Sequence, residues 1–195
     1  MTPWDKFFDE KIKDIASYCR ARNGKILDLG GGQPFMKHMA QYKELFAGLE
    51  YLVVDNVAKY EPDIVADITD LSIEDNFADA VICKAVLEHV PEPHKAVSEM
   101  YRVLKPGGKA FIYVPFLYSY HGNNDYKDYY RYTKDGLEYL FKDFSEVEIV
   151  PVRGAIETWL YLLPFKTVRR IAPWVRKFDK KTKTQASGYN LWAVK

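Results

Sequence analysis

The sequence predicts an α/β chain: a doubly wound, mostly parallel seven-stranded sheet with helices on both faces and the last strand antiparallel. Three observations carry this. Short apolar runs of strand length alternate with segments of helical period over most of the chain, the pattern of strand–helix–strand units. The runs are apolar almost throughout, as in strands covered on both faces. One of them, Lys25-Ile26-Leu27-Asp28-Leu29, runs straight into Gly30-Gly31-Gly32, a strand delivered into a tight turn.

The elements follow in order. Thr2-Pro3 is a helix start, a cap with proline at the first helical position. Trp4, Phe7, Phe8, Ile12, Ile15 and Cys19 recur at helical spacing until Asn23-Gly24 stops the run. A first strand over about 25–30 precedes a helix expected over about 34–47, and a second strand covers about 51–55. Asp63 to Ala66 reads as a short third strand and Ala78 to Cys83 as a fourth. Pro93 opens a helix to about Leu104, which Lys105-Pro106-Gly107-Gly108 ends. Lys109 to Val114 is the fifth strand. A tyrosine-rich polar segment then runs to Tyr132, and Thr133 caps a helix to about Phe141. Val147 to Val152 is the sixth strand. Residues 155–180 read as helical pieces broken at Pro164 and Pro173, and Gly188 to Val194 is the final strand. No repeat or linker interrupts the chain, so 1–195 reads as one domain.

The bulk numbers narrow the function. The chain has 195 residues, 48% hydrophobic and 28% charged, enough for one domain with a real core. A net charge of +1 gives no global field for nucleic acid. Cys19 and Cys83 form no metal or redox pattern and read as reduced thiols of a cytoplasmic protein. The amino terminus lacks a signal-peptide pattern, and no apolar run reaches spanning length.

The glycine turn and its surroundings have the logic of a nucleoside crevice. Glycines let a ligand approach the backbone, and an acid about twenty residues on, Asp55 after Tyr51-Leu52-Val53-Val54, would hold ribose hydroxyls. Asp28 reads either as a brace for the turn or as a ligand contact. A dinucleotide fingerprint needs a third glycine, where this chain has Phe35-Met36. Tyr130 and Lys134 have the Tyr-x-x-x-Lys spacing of short-chain dehydrogenases, but Thr133 falls between them as a helix cap.

From Gly24 to Pro115 the chain resembles the class I S-adenosylmethionine-dependent methyltransferases, type 11-like, through a series of motifs in the family's order. Lys25 to Gly32 resembles the first motif and Val53-Val54-Asp55 the ribose acid. Asp67 to Leu71 with Phe77 to Ile82 resembles the adenine turn and fourth strand. Leu87-Glu88-His89-Val90 resembles the segment after it, and Arg102 to Gly108 the turn before strand five. Gln33-Pro34 departs from the small residue usual after the glycines. The resemblance implies a Rossmann-like fold and methyl transfer from S-adenosyl-L-methionine, leaving S-adenosyl-L-homocysteine. It implies cofactor contacts from Asp28, Gly30, Gly32, Asp55, Asn56, Asp67, Ile68, Lys84, Ala85 and His89, with a helix amino terminus favouring the cofactor carboxylate. The alternative is a noncatalytic S-adenosylmethionine-binding or membrane-surface interaction module.

The acceptor would meet the segment after strand five, since ligands collect beyond the carboxyl ends of the strands. Residues 116–133 and 155–180 are therefore the expected acceptor-side elements, with 1–22 as a cover helix. His121 is the first candidate base and Asp128 the second. Arg131 reads as a clamp for an acid group of a small-molecule or glycan acceptor, or as the ion partner of Asp128. No cysteine–histidine cluster or paired carboxylates point to a metal. Trp159 to Phe165 is very apolar, and Lys166, Arg169, Arg170, Arg176, Lys177, Lys180, Lys181 and Lys183 follow with only Asp179 opposing them. That stretch reads as a helix packed on the sheet, a peripheral membrane contact or a dimer interface.

Overall fold

The computed structural model describes residues 1–163, 166–175 and 185–195. The strands are β1 (Lys25–Leu29), β2 (Glu50–Asp55), β3 (Ile64–Val65), β4 (Ala78–Lys84), β5 (Leu104–Pro115), β6 (Glu146–Val152) and β7 (Gly188–Val194). They form one seven-stranded sheet in the order β3-β2-β1-β4-β5-β7-β6. β1 pairs in parallel with both β2 and β4, so the strand order reverses there and opens a crevice beyond the carboxyl ends. β7 runs antiparallel to β5 and β6 and lies between them. The last strand in sequence is thus the antiparallel one, and it is inserted rather than added at the edge.

The helices are α1 (Pro3–Arg20), α2 (Pro93–Val103), α3 (Lys134–Leu140), α4 (Ala155–Leu162) and α5 (Ala172–Val175). α1 starts as the sequence dictates: the Thr2 hydroxyl accepts from the Asp5 amide, and Asp5 reaches back to the Thr2 amide. Its Phe7, Ile12, Ile15 and Cys19 are buried with Ile26, Ile82, Phe111 and Trp192 on one sheet face. None of its residues lines the cavity described below, so α1 covers the sheet rather than the ligand mouth. α2 lays Ala96, Val97, Met100 and Val103 on the opposite face. Thr133 caps α3 by accepting from the Gly136 amide at 3.1 Å.

Three expectations are corrected. The helix expected over 34–47 is a 3₁₀ helix, Lys37–Phe46, with no side-chain cap at Met36. Phe35 takes a left-handed φ of +57° and turns its ring onto Tyr51 and Phe46, at centroid distances of 4.8 and 5.8 Å. Met39, Tyr42 and Phe46 nevertheless face the core. The glycine turn is therefore not followed by an α-helix amino terminus, and the dipole argument for the cofactor carboxylate falls away. β5 begins at Leu104, five residues early, with a register shift opposite Ala78–Ala80. Pro173 lies inside the first turn of α5 rather than breaking a helix. Pro164, and Arg176 to Lys183 with Asp179, fall outside the described residues.

Candidate active site

At the switch point lies a cavity of about 500 Å³, the size of a small-ligand site. Its floor is the glycine turn, Gly30 to Gly32. Gly30 has φ +67°, and a Cβ there would stand 2.5 Å from Val86 Cγ2, so only glycine fits between turn and wall. Asp55 braces the turn from the end of β2. Its carboxylate accepts from the Gly32 amide at 3.0 Å and from the Val57 amide at 2.9 Å. Asn56, Asp67 and Ile68 continue the wall. Asp67 accepts from the Thr69 amide and hydroxyl, both at 2.8 Å, which closes the turn that presents Ile68. Ala85 and His89 complete the side beyond β4, and Ala85 holds a left-handed φ of +55°, a strained backbone of the kind met at ligand sites.

Asp28 and Lys84 are not part of the wall. Asp28 is buried behind the turn, where its carboxylate accepts from the Tyr51 hydroxyl at 2.6 Å. A Cβ on Gly31 would come within 2.7 Å of it, so Asp28 is a brace. Burial pushes its carboxyl up to about 6, against the pull of Tyr51 and Lys84; Asp55 pushes the same way as burial. The Lys84 ammonium sits 4.6 Å over the Phe8 ring, and burial lowers it to about 8, with Asp28 opposing.

A carboxyl whose folded pKa is raised favours folding at low pH and loses that contribution as pH climbs from about 4 through 6. Asp28→Asn removes the titration. Its unfolding free energy is expected to lack this downward slope and to exceed that of the parent above pH 7 by an amount of order 1–3 kcal/mol. Lys84, losing its counter-charge, offsets part of the gain. Parallel melts from pH 4 to 8 check this, and identical slopes for both proteins would refute it.

The segment 116–133 straps across the cavity. Its start is paired to the chain ahead of β7, Phe116 and Leu117 amides donating to the Ser187 and Ala186 carbonyls. Its middle is fastened over the ligand mouth: Asp125 accepts from the Lys59 ammonium at 2.6 Å and the Tyr60 hydroxyl at 2.9 Å. Tyr60 and Tyr126 both line the cavity. Asp125→Ala is expected to speed release of adenosylhomocysteine a few-fold while leaving Tm nearly unchanged, because exposed ion pairs contribute little to stability. Stopped-flow displacement would read it, and an unaltered off-rate would mean that the clasp does not restrain the ligand.

The strap's far end carries the other candidates. Arg131 donates both guanidinium nitrogens to Asp128, at 2.5 and 2.6 Å, and further to the Tyr118, Ser119 and Tyr130 carbonyls. All five of its donors are engaged, so Arg131 clamps the strap and not an acceptor. Asp128 is buried, and the guanidinium holds its carboxyl well below the ordinary carboxylate range. It also accepts from the His121 amide at 2.9 Å. As a base it is thereby disabled, and both residues position His121.

His121 meets two residues of the 3₁₀ turn Leu87–His89. Its Nε2 lies 3.3 Å from Glu88 Oε1, and its ring packs edge-on to His89 at 4.8 Å. Glu88 is fully buried; its Oε2 has no hydrogen-bond partner, and burial pushes its carboxyl up to about 8. Tyr129 and Tyr130 amides both donate to the Glu88 carbonyl, which locks turn and strap together. His89 Nδ1 bonds the Lys127 carbonyl at 2.6 Å. Sequence reasoning gave Glu88 no part in the chemistry, because a glutamate in a short turn carries no mark of full burial. It missed Tyr60 and Tyr126 because their meeting is created by the strap, and Val86 because its packing on Gly30 joins two strand ends far apart in sequence.

The comparisons with known proteins agree with this arrangement. A family model described as a methyltransferase domain matches residues 27–112, the stretch from β1 to β5 that builds the crevice. Over this stretch the chain is similar to the class I S-adenosylmethionine-dependent methyltransferases, type 11-like. Within the class it is similar to the ubiquinone biosynthesis O-methyltransferase of Klebsiella pneumoniae, 35% identical over 111 residues, 49% of this chain and 46% of that protein. The Coxiella burnetii protein of the same name is 27% identical over 141 residues, 67% of this chain and 57% of that one. The chain spans about half the length of the curated relatives it matches. In fold it is similar to a SAM-dependent methyltransferase from Archaeoglobus fulgidus, with TM-score 0.60 and 18% identity over 98% of this chain and all of that one. A Haemonchus contortus phosphoethanolamine N-methyltransferase 2 in complex with S-adenosyl-L-methionine gives TM-score 0.57 at 18% identity, over 87% of this chain and 48% of that one.

The cavity fits the family's cofactor. A Cβ at Gly30 would strike Val86, and one at Gly32 would meet only Asp55 and Tyr60, at 3.9 Å, so the bare turn leaves its space to a ligand. The wall offers the Asp55 carboxylate and a polar–apolar pair, Asp67 and Ile68. Among the described residues no lysine or arginine lines the cavity.

Proposed function

We propose that this chain transfers the methyl group of S-adenosylmethionine to an oxygen of a small-molecule or glycan acceptor. The observation that carries the reading is the shared wall. His89 lines the cofactor cavity and also belongs to the Glu88–His89–His121 cluster, so cofactor and proton-handling groups meet. The name of the curated relatives, O-methyltransferase, favours an oxygen acceptor.

Asp55, Gly30 to Gly32, Asn56, Asp67, Ile68, Ala85 and His89 would hold the cofactor, which when bound supplies an electrophilic methyl group on its sulfonium. The remaining work belongs to the chain. The strap excludes water and aligns the acceptor, the source of most acceleration in such a displacement. Tyr118 and Tyr126 offer ring faces for a sugar or aromatic ring, standing beside His121 and His89 at 5.3 and 4.4 Å. The cluster takes the acceptor proton, and Asp128 and Arg131 keep His121 in place.

Radiolabelled adenosylmethionine with a panel of phenols and sugars tests the reading. His121→Ala should lower kcat by about 10²–10⁴-fold and leave cofactor affinity unchanged. Turnover insensitive to His121→Ala would remove the cluster from the mechanism, and absence of any adenosylmethionine binding would remove the function itself.

A second reading concerns location. Trp159 and Trp174 are 63% and 75% exposed, with Ile156 and Ile171 also outside, next to the basic run of 166–183. Exposed tryptophans close in sequence to basic residues suit an anionic membrane surface. Among the described residues no helix is long and apolar enough to cross a membrane. Sedimentation with anionic vesicles at low and high salt decides; absence of salt-sensitive binding removes the membrane contact.

A further inference from the structure

We propose that Glu88, His89 and His121 form a binding site for a divalent first-row transition ion, zinc being the form to test, at the wall between cofactor and acceptor. One ligand atom from each residue can be chosen so that all lie within 4.8 Å of one another. His121 Nε2 is 3.3 Å and His89 Nε2 3.8 Å from Glu88 Oε1. In a tetrahedral site with bonds of 2.0–2.1 Å, ligand atoms stand roughly 3.4 Å apart, so only small side-chain rotations separate this arrangement from a filled one.

Two independent features point to an ion rather than to incidental packing. The first is the orphaned oxygen. Glu88 Oε2 is buried without a partner, an unfavourable state for any carboxyl, and a cation held by both Glu88 oxygens, or by Oε2 after a turn of the carboxylate, would satisfy it. The second is the orientation of the imidazoles. His89 Nδ1 is held by the Lys127 carbonyl at 2.6 Å and His121 Nδ1 by the Ser119 carbonyl at 3.1 Å. A carbonyl accepts only, so both Nδ1 atoms carry the proton and both Nε2 lone pairs turn toward Glu88. Carbonyl or carboxylate support behind a ligating histidine is the usual construction of a metal site, and Asp128 adds a carboxylate 3.3 Å from His121 Nδ1.

Two imidazoles and one carboxylate suit zinc or another first-row ion rather than magnesium or calcium, which prefer all-oxygen ligands. Three protein ligands leave a position open. An ion there lowers the pKa of a coordinated hydroxyl, so the acceptor proton would leave to solvent without His121 acting as a free base. That role rests on the methyl-transfer reading; the site itself does not.

The test is metal binding by the apoprotein, separate from turnover. Chelator-treated protein is titrated with Zn(II) by calorimetry and with Co(II) by visible absorption. One equivalent per chain is expected, with a dissociation constant micromolar or tighter. His121→Gln and His89→Gln should each weaken it by more than about 100-fold, beyond the usual effect of outer-shell changes. A His38→Gln/His94→Gln variant, lacking the two other histidines, should bind as the parent does. Circular dichroism melts show that each variant is folded. Failure of the parent to bind either ion, or binding that survives His121→Gln and His89→Gln, overturns the site. Adenosylmethionine affinity, measured in parallel, reports on the function reading alone, so the two can fail separately.

Discussion

Replacing Asp55 by Ala is expected to weaken adenosylmethionine and adenosylhomocysteine binding by about 10²–10⁴-fold. Two charge-assisted bonds to ribose hydroxyls would contribute about 1.5–3 kcal/mol each, and each 1.4 kcal/mol is tenfold in affinity. The same carboxylate organises the floor through the Gly32 and Val57 amides, so its loss also loosens the turn. Asp55→Asn separates the effects. It keeps an acceptor oxygen but loses the charge, and should fall between parent and Ala. Calorimetry with NAD as a control ligand reads the result. Retained micromolar binding in the Ala variant would mean that the ribose lies elsewhere.

Arg131→Met should be the most destabilising substitution in the strap. Asp128 is only 1% exposed, and removing its partner leaves a buried carboxylate supported chiefly by the His121 amide. Breaking such a pair costs about 3–5 kcal/mol, roughly 10 °C in Tm for a chain of this size. Methyl transfer should fall with it, because Ser119 and Tyr118 carbonyls lose their donors and His121 loses its support. Arg131→Lys should recover little, since one ammonium cannot reproduce a planar fork. Arg131→Met/Asp128→Asn should regain part of the stability by removing the unpaired charge. If the double variant is no more stable than Arg131→Met, the ion pair is not what holds the strap.

The sheet was legible because its signals are local. Lys25 to Leu29, Ala78 to Cys83 and Gly188 to Val194 are apolar runs bounded by turn residues, and each became a strand. The helix expected after the glycines failed where Pro34 and Phe35 turn the chain aside, a tertiary preference of the Phe35 ring for Tyr51 and Phe46 that no periodicity records. The cavity residues could be placed because motif spacing fixes strand ends, and strand ends fix the crevice. Asp28 and Lys84 show the limit. Both stand at strand ends, yet the side of the sheet to which each turns puts them behind the wall. Arg131 was readable as clamp or as ion partner, and only the count of its engaged donors decides. The Glu88 cluster was hidden because His121, more than thirty residues from Glu88 and His89 in sequence, is brought to them by the strap.

The place of β7 between β5 and β6 governs how the chain can mature. During synthesis β6 leaves the ribosome with no neighbour to bond, and β5 waits with one bare edge. Only when 185–194 emerge do both ladders close at once, and the same stretch then fastens Phe116 and Leu117 at the root of the strap. Such late, long-range pairing is slow and leaves unpaired edges exposed meanwhile. A nascent chain stalled before Gly188 therefore has the glycine turn and Asp55 in place but an unfinished acceptor side: a cofactor pocket that precedes, in the life of the molecule, any ability to act on a second substrate.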